Sequence, residues 1–567
     1  MSESLANFST ASTGVQDSGG FRLLELTREA AVQLTAWRSG ELPAVPTEWW
    51  DGRVRLSAEL LTTKAVAAGA GVSYGHRYRT AEPTSLGLIG IGYGFGLPRC
   101  AGGAASVAVT VGEERVLVPI VGRVAMNAAV LDLGSIRPET GSLVEVIGPA
   151  TSLTEWTRWT DMSAEALIAG LANLVETRIL DIERLGARAP EAGLPEAGAS
   201  AAGEPAAGSA GPIVEVDTDA LAANIALMRE RVAPSQLWAV VKADAYGHDL
   251  DIVIPVMLAG GIEGFAVADL ATAARVRKLA PDARILAWML GSGADFRAAI
   301  AAGVELGVTD LDVYRRVVDA AAELGQPTQI HLSIDTGLHR DGFLYSSFAE
   351  HIPQFASDTE ARRIRVMGSF THLAETTYES DSEQLARFAD VIASLDAAGL
   401  VGEGFLRHAQ ASAASYTRED GRLDLVRIGA FLYGVAPGDG IGPQELGLRP
   451  VMTVTAPVVT TNLNLDGASA TAIGIGSSHG VLEWAAGRTS LMLGGERRAI
   501  LRVEANRTFV EAGDGDALGQ RAVLVGNPGR ADTPNAPVLQ ELQDAMDTIG
   551  EEITCRIDPA LPRVSLP

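Results

Sequence analysis

The sequence predicts an α/β protein: a (β/α)8 TIM barrel flanked by two small β-rich domains. Between residues 212 and 446, eight apolar runs alternate with stretches of helical spacing, which favours a closed parallel barrel. The outer parts, 50–185 and 447–567, contain short β-rich runs with turn glycines and then a helix, which is typical of a small β-domain. A doubly wound open sheet is the rival, but no dinucleotide-type glycine fingerprint follows the first strand.

The eight strands are predicted from short apolar segments followed by helical segments such as LATAARVRKLA and DVYRRVVDAAAELG. In chain order the strand segments are QLWAVV, GFAVA, RILAWML, VELGV, QIHLSI, RVMGSF, GFLRHA and DLVRI.

Residues 186–211 consist of Ala, Gly, Pro and Glu with almost nothing to bury, so they predict a flexible linker. A coil of this length and composition spans roughly 25–30 Å on average. The linker separates the first β-rich part from a C-terminal part about twice as long.

The two β-rich parts resemble each other, which indicates a duplicated domain. The second copy lacks the segment that corresponds to AGVSYGHRYRT in the first. Three short matches occur in the same order: AELLTTK at 58–64 with APVVTTN at 456–462, IGIGYGFG at 89–96 with IGIGSSHG at 473–480, and GEER at 112–115 with GGER at 494–497.

Charge and composition exclude several classes of protein. The 567 residues include 45 Lys plus Arg and 70 Asp plus Glu, a formal net charge of −25, which argues against nucleic acid or an anionic membrane as the main partner. No apolar run reaches the ~20 residues of a membrane span, and no signal peptide is visible. Two cysteines, Cys100 and Cys555, cannot form a disulfide framework or a cysteine-based zinc site. We therefore expect a cytoplasmic protein without a metal site.

Only three of the 45 basic residues are lysines: Lys64, Lys242 and Lys278. Unlike arginine, lysine can lose its proton and act as a nucleophilic amine. Lys278 ends a helical stretch, where a cation suits the helix C-terminus, and Lys64 lies in a strand-like run that predicts a solvated face. Lys242 ends the buried strand LWAVV, and is the candidate for chemistry.

In a (β/α)8 barrel the active-site groups lie at the carboxyl ends of the strands. A nucleophilic amine beside cations and small residues suits pyridoxal phosphate, which needs a lysine, a partner for its ring nitrogen and a phosphate cup. The residues at the predicted strand ends are Lys242, Tyr246, His331, Asp335, Arg340, His372, His408, Ser412, Arg427 and Gly429.

These segments resemble the alanine racemase family, the fold-type III pyridoxal phosphate enzymes. In the family, the barrel precedes its β-domain; here the tyrosine-bearing β-domain comes first and the β-domain after the barrel lacks that tyrosine segment. The matching motifs in the barrel are VVKADAYGH at 240–248, HLSIDTGLHRDGF at 331–343, SFTHLAE at 369–375, HAQASAA at 408–414 and VRIGAFLYG at 426–434. Outside it they are VSYGHRY at 72–78, GYGFGLPR at 92–99, VGRVAMNAAVLDLG at 121–134 and TIGEEITCRIDPALPRV at 548–564.

The resemblance implies a role for each matching residue. Lys242 holds the cofactor and removes the α-proton of the D-isomer, while Tyr74 serves the opposite face for the L-isomer. Arg427 faces the ring nitrogen and, as a permanent cation, disfavours protonation of that nitrogen. His372 contacts the cofactor; the phosphate is held by Tyr246, Ser412, Gly429 and Ala430; the substrate carboxylate is held by Arg340 and the Met126 amide. His331, His408 and Trp288 are interpreted as packing residues.

The sequence departs from the family at four places, which concern the support of Arg340 and the mouth of the active site. The often carbamylated lysine is Ser333, the aspartate of the GYxDG segment is Phe95, the aspartate after the β-domain methionine is Asn127, and the tyrosine near the family's C-terminus is Glu551 in the second β-domain and Thr177 in the first.

The expected function is that of an alanine racemase that supplies D-alanine for peptidoglycan. Three alternatives are a broad-specificity amino-acid racemase, a fold-type III decarboxylase, and a catalytically weak protein that only binds the cofactor. In the family, the tyrosine comes from a second subunit. We expect the N-terminal β-domain to replace that partner, either within one chain as an intramolecular pseudo-dimer or in a swapped homodimer, and tethering favours the single chain.

Overall fold

The structure, a computed structural model, describes residues 22–180, 211–437 and 441–566. The predicted linker 186–211 lies outside the described residues, except for Gly211. In the described ranges no helix is both long and apolar enough to span a bilayer.

The middle of the chain forms one parallel sheet, and each of the eight predicted apolar runs is a strand in it. The two end strands lie side by side, because Arg427 N–H donates to Gln410 O at 3.1 Å and Asp424 N–H to Arg407 O at 3.2 Å, so the sheet is a nearly closed barrel. In spatial order the strands are Leu406–His408, Ile364–Phe370, Thr328–Asp335, Glu305–Val308, Arg284–Ala287, Gly264–Val267, Gln236–Val240 and Leu425–Ile428; the short Phe343–Leu344 pairs with Thr328–Asp335.

One helix, Thr218–Val232, precedes the first strand of this barrel, and the others follow its strands. Aspartates start several of them, because an aspartate side chain accepts hydrogen bonds from backbone N–H groups that the first turn leaves without a partner. The capping residues are Asp217, Asp249, Asp269, Asp295 and Asp310. The helices are Thr218–Val232, Leu250–Ala259, Leu270–Leu279, Phe296–Ala301, Leu311–Leu324, Tyr345–Phe348, Ile352–Glu360, Tyr378–Ala397 and Ser412–Thr417.

The N-terminal β-domain begins before the predicted boundary at residue 50. The strand Arg22–Thr27 pairs with Val54–Val66, and the helix Arg28–Ser39 follows it. In spatial order the sheet strands are Thr177–Leu180, Arg22–Thr27, Val54–Val66, Thr84–Ile89, Ala129–Gly134, Glu114–Val121, Ser106–Val111 and Leu143–Ile147, the last of which closes on Val54–Val66. The other helices are Thr47–Trp50, Leu153–Thr160 and Ala164–Ala172.

The C-terminal β-domain has the same strand order, and it recruits Ile213–Asp217 from just before the barrel. Its helices are Leu539–Met546 and Gly550–Arg556. Matched to the strands above, its strands are Arg563–Leu566, Ile213–Asp217, Met452–Leu465, Ala468–Ile473, Thr508–Glu511, Glu496–Val503, Ser490–Leu493 and Arg521–Val525, which closes on Met452–Leu465.

The duplication therefore extends further than the sequence matches indicate. Each copy starts with a strand and a helix capped by its preceding residue, Thr27 or Asp217. In the second copy the whole barrel is inserted between that helix and the β-domain, whereas in the first copy the chain passes almost directly into the β-domain. The N-terminal half thus has the organisation of the C-terminal half with its barrel removed.

The two β-domains differ most at one hairpin. In the first copy, Gly71–Val72 pairs with Tyr78–Arg79, and the turn Tyr74–His76 lies between them. In the second copy, Met452–Leu465 connects to Ala468–Ile473 through two residues, so this hairpin has no counterpart.

The two copies contact each other in a nearly symmetric way. The helix Gly550–Arg556 packs on the turn Tyr93–Phe95, and the equivalent helix Ala164–Ala172 packs on the equivalent turn Ser477–His479. Arg99 N–H donates to Glu552 Oε1 at 2.8 Å. Buried apolar side chains from the barrel and both β-domains form one continuous core, so burial of apolar surface holds the three units together.

Candidate active site

A cavity of about 270 Å³ opens at the carboxyl ends of the barrel strands. The barrel supplies Lys242, the N-terminal β-domain supplies Tyr74, and the C-terminal β-domain supplies Glu551. All ten residues to which the sequence assigned a site role line this cavity: Tyr74, Met126, Lys242, Tyr246, Arg340, His372, Ser412, Arg427, Gly429 and Ala430.

Lys242 follows the strand Gln236–Val240 by one intervening residue. The next four residues, 243–246, all have positive φ, between 49° and 59°, a left-handed conformation that costs about 1–2 kcal/mol per residue. Such strain persists only where surrounding structure holds it. The helix Gly550–Arg556 provides that support, since it packs on this turn so closely that a Cβ on Gly247 would lie 2.4 Å from Thr554 O.

The Lys242 amine is buried, with two arginines and the acidic groups Cys555 and Glu551 near it. Burial, reinforced by Arg340 and Arg427, lowers the pKa of this amine to about 8. An ordinary lysine has a pKa of about 10.4, so a much larger fraction of Lys242 is the neutral, nucleophilic amine near neutral pH.

Arg427 and His372 connect the cavity to Tyr74. Arg427 Nη2 lies 3.3 Å from His372 Nδ1, and His372 Nε2 lies 2.8 Å from Tyr74 Oη. Because a guanidinium only donates, His372 Nδ1 must accept and Nε2–H must donate to Tyr74. Burial, followed by Arg340 and Arg427, lowers the pKa of His372 well below its ordinary value, so this imidazole is neutral. The arrangement fixes the position of the Tyr74 oxygen through a hydrogen bond from His372.

Tyr246, Ser412 and Gly429 form a small polar cup on the cavity wall. Gly429 N–H donates to Ser412 Oγ at 3.2 Å. A Cβ on Gly429 would lie 2.1 Å from Tyr246 Oη, so only glycine allows this close approach. Backbone amides beside two hydroxyl groups can hold an anionic group such as a phosphate.

Lys64 does not lie on a solvated face, so that prediction is wrong. Its Nζ contacts Asp335 Oδ2 at 2.7 Å and Gly342 O at 3.1 Å, and the side chains of Lys64 and Asp335 are 7% and 0% exposed. The strand that carries Lys64 crosses onto the barrel mouth, which the sequence alone does not reveal. The pair is a buried ion pair that fixes the N-terminal β-domain on the barrel.

Arg340 has acidic neighbours despite Ser333. Burial by itself would lower the pKa of Arg340, but Tyr74, Asp341 and Asp335 act against it and raise that pKa. The Arg340 guanidinium carbon also lies 5.0 Å from the Tyr74 ring centroid, within cation–π range. The barrel carboxylates Asp341 and Asp335, together with Tyr74 from the N-terminal β-domain, thus stabilise the positive charge of Arg340.

The four departures from the family motifs occupy different places. Ser333, Asn127 and Glu551 line the cavity. Asn127 is buried, and within the described ranges its side-chain amide has no hydrogen-bond partner. Phe95 lies outside the cavity lining, under the guanidinium of Arg22.

His331 and His408 are fully buried, as packing residues are, but they also form hydrogen bonds to each other and to Arg427. The sequence alone does not reveal these contacts. Trp288 forms part of the cavity wall.

Comparison with known proteins places these features in one family. The family model described as "Alanine racemase, C-terminal domain" matches residues 53–179, and "Alanine racemase, N-terminal domain" matches residues 216–437. The match to the C-terminal domain therefore comes first along this chain, and the second β-domain lies outside both matched ranges.

Individual relatives agree with the family models. The alanine racemase of Thermobifida fusca is 36% identical over 375 residues, covering 62% of this chain and 96% of the relative, and that of Streptomyces coelicolor is 32% identical, covering 62% and 94%. The crystal structure of alanine racemase from Streptomyces lavendulae superposes with a TM-score of 0.59 at 29% identity, over 63% of this chain and 97% of that one. The crystal structure of alanine racemase from Corynebacterium glutamicum superposes with a TM-score of 0.56 at 30% identity, over 63% of this chain and 99% of that one.

Proposed function

The chain belongs to the alanine racemase family, and on that premise we propose that it interconverts L-alanine and D-alanine with pyridoxal 5'-phosphate, using Lys242 and Tyr74 as its two bases. The observation that carries the proposal is that a buried lysine from the barrel and a tyrosine from another domain line the same cavity. Racemisation needs one base on each face of the planar carbanion, and two domains that meet across a cavity can supply them.

The residues around the cavity fit the cofactor. Lys242 offers a buried amine of lowered pKa. The phosphate of the cofactor suits the cup formed by Tyr246, Ser412 and Gly429, which a Cβ on Gly429 would fill. Ala430 extends the same cup. When bound, the cofactor supplies a carbonyl carbon that condenses with amines and an electron sink that acidifies the α-proton of the amino acid.

The side chains around the cavity bind the substrate and transfer its α-proton. Arg340 and the Met126 amide bind the substrate carboxylate and so orient the α-proton toward a base. Lys242 takes that proton from the D-isomer, and Tyr74 takes it from the L-isomer. His372 donates Nε2–H to Tyr74 Oη and so orients the oxygen that takes the proton. With the cofactor bound, Arg427 would face the ring nitrogen and, as a permanent cation, would disfavour protonation of that nitrogen.

We further propose that the barrel is a complete (β/α)8 barrel and that the chain is an intramolecular pseudo-dimer, with residues 22–180 in the place of a second subunit. The Tyr74–His372 hydrogen bond of 2.8 Å and the buried Lys64–Asp335 pair support this proposal, since both join the N-terminal β-domain to the barrel of the same chain.

Mixing two inactive variants tests this arrangement. If each chain builds its own site, a mixture of Lys242→Arg and Tyr74→Phe chains stays inactive, because neither chain has both bases. In a swapped dimer, one of two sites would combine a normal lysine with a normal tyrosine. Recovery of D-alanine formation in the mixture, after co-refolding or prolonged incubation, would therefore contradict the intramolecular site.

The lowered pKa of Lys242 predicts the pH dependence of cofactor capture by the apoprotein. Only the neutral amine attacks a carbonyl, so the rate should rise with pH and level off above about pH 8. For an ordinary lysine it would continue to rise to about pH 10.4. Stopped-flow absorbance across this range measures the rate, and a continued rise beyond pH 9 would show that the amine is not perturbed.

A coupled D-alanine assay on the purified chain with added pyridoxal phosphate tests the function itself. Conversion of L-alanine to D-alanine supports the proposal. Stoichiometric cofactor binding without turnover would instead favour a cofactor-binding protein, and release of carbon dioxide would favour a decarboxylase.

A broader amino-acid racemase is the second candidate, and Glu551 is the observation that favours it. Its carboxyl lines the cavity where the family pattern has a tyrosine, and a smaller acidic group leaves room for larger or polar side chains. The same assay with serine separates the two. We also propose that the protein acts in the cytoplasm and supplies D-alanine for peptidoglycan.

A further inference from the structure

A line of hydrogen bonds runs inside the barrel from the cavity to the amino ends of the strands. It begins at Arg427, whose Nη1 lies 2.8 Å from His408 Nδ1, and His408 Nε2 lies 2.9 Å from His331 Nδ1. His331 Nε2 lies 2.6 Å from Glu305 Oε2, and Arg284 binds both Glu305 oxygens, at 2.6 and 2.8 Å. Five side chains from five strands are thus joined in sequence.

The chemistry of the two ends fixes the direction of every bond in this line. Arg427 can only donate, so His408 Nδ1 must carry a lone pair. A neutral His408 then has its proton on Nε2 and donates to His331 Nδ1. His331 likewise has its proton on Nε2 and donates to the Glu305 carboxylate, which only accepts. One arrangement of protons satisfies every group.

Because these groups are buried, any other arrangement of their protons is energetically costly. The side chains of His331 and Glu305 are 0% and 3% exposed. Burial by itself would raise the pKa of Glu305, but hydrogen bonds from His331 and Arg284 lower it to about 2, so Glu305 is a carboxylate. Burial, followed by Arg427 and His331, lowers the pKa of His408 well below its ordinary value, so this imidazole is neutral. A mismatched proton here would leave two donors facing each other without water.

We propose that Glu305 is a positioning residue for Arg427: by accepting the His331 proton at the far end of the barrel, it fixes the tautomers of both histidines and presents an unprotonated nitrogen to Arg427. The same guanidinium also donates to His372, which binds Tyr74. Glu305 therefore orients the group that the proposed function places at the cofactor ring, and the catalytic part of the inference rests on that function.

The tautomers themselves can be measured without cofactor. In Glu305→Gln, the amide NH₂ must face either a His331 N–H or an Arg284 N–H, so the strict arrangement is lost. With ring-¹⁵N-labelled histidine, the apoprotein should show His331 and His408 as Nε2–H tautomers, and the variant should show at least one as a mixture or with its proton on Nδ1. Unchanged tautomers in the variant overturn the proposal, whether or not the wild-type chain racemises alanine.

Kinetics of the holoenzyme supply the second readout. Partners that orient metal-binding residues are typically worth about 10–100-fold in affinity or activity. We expect the same order for a partner that orients Arg427, so kcat of Glu305→Gln should fall by that factor while KM for alanine changes little. The absorbance band of the bound cofactor should shift, because Arg427 at the ring nitrogen is displaced.

Asp358→Asn is the matched control. Asp358 is a buried carboxylate elsewhere in the barrel that accepts from Tyr314 Oη at 2.6 Å and pairs with Arg363 at 2.9 Å. The Asp358→Asn variant should lose stability as Glu305→Gln does, without a change in kcat or in the absorbance band of the bound cofactor. Equal effects of both variants would mean that Glu305 acts only through stability.

Should Glu305→Gln fail to fold, His331→Leu breaks the same line at its centre with a side chain of similar size. We expect the same fall in kcat and the same shift of the cofactor absorbance band in His331→Leu. A folded His331→Leu with the wild-type band and kcat overturns the proposal.

Discussion

We expect Lys242→Arg to abolish covalent capture of the cofactor and to lower racemisation by at least about 10⁴-fold, because the same residue supplies the nucleophilic amine and one of the two bases. Arginine keeps the positive charge but cannot become a neutral nucleophile at accessible pH. Borohydride reduction followed by mass spectrometry measures covalent capture, and the coupled D-alanine assay measures turnover.

The chain offers an exact chemical match as the control for this variant. Lys278 is an exposed residue at the end of the helix Leu270–Leu279, so Lys278→Arg makes the same change far from the cavity and should leave capture and turnover unaltered. A Lys242→Arg chain that still captures the cofactor covalently would show that another amine holds it.

Tyr74→Phe should remove one base and leave the other. We expect a loss of about 10²–10⁴-fold in racemisation, the usual contribution of a general base, with little effect on cofactor binding, which depends on barrel residues. The loss should be unequal between the enantiomers: α-proton exchange with deuterated solvent should survive from D-alanine, through Lys242, and nearly vanish from L-alanine. Proton NMR in D₂O follows both.

Tyr78→Phe is the control in the same hairpin. Its hydroxyl donates to Asp132 Oδ2 at 2.5 Å, and Tyr78 is absent from the cavity lining, so its removal tests the fold of the hairpin alone. Equal exchange from both enantiomers at wild-type rates in Tyr74→Phe would mean that Tyr74 is not the second base.

The features that local sequence determines were predictable. Each of the eight barrel strands is a short apolar run between helical segments, which predicts a strand. The family fold, a barrel with a β-domain, is confirmed by the matches to alanine racemases. Lys242 stood out by composition, since the chain otherwise uses arginine for its cations. That signal depended on the chemistry of the amine and needed no knowledge of tertiary structure.

The features that depend on contacts between distant segments were not predictable. Lys64 has the local sequence of an exposed strand residue, and its partner Asp335 is 271 residues away. The sequence does not reveal that the strand Arg22–Thr27 and its helix belong to the β-domain, because a single short strand and helix without a barrel behind them look like an ordinary N-terminal segment. An apolar strand indicates that His331 and His408 are buried, which favours packing, but it does not indicate the cross-strand hydrogen bond between them.

The duplicated organisation also has a genetic consequence. In a homodimer one gene encodes both faces of the interface, so each substitution appears twice and must suit both positions. Here the two copies are encoded separately, and they have diverged: Tyr93–Phe95 at one turn corresponds to Ser477–His479 at the other. The copy behind the barrel lacks the tyrosine hairpin and the copy in front lacks a barrel, so in the proposed intramolecular site each copy supplies what the other lacks. In the proposed pseudo-dimer, two specialised halves take the place of a pair of identical subunits, and they are inherited, and expressed, in a fixed one-to-one ratio.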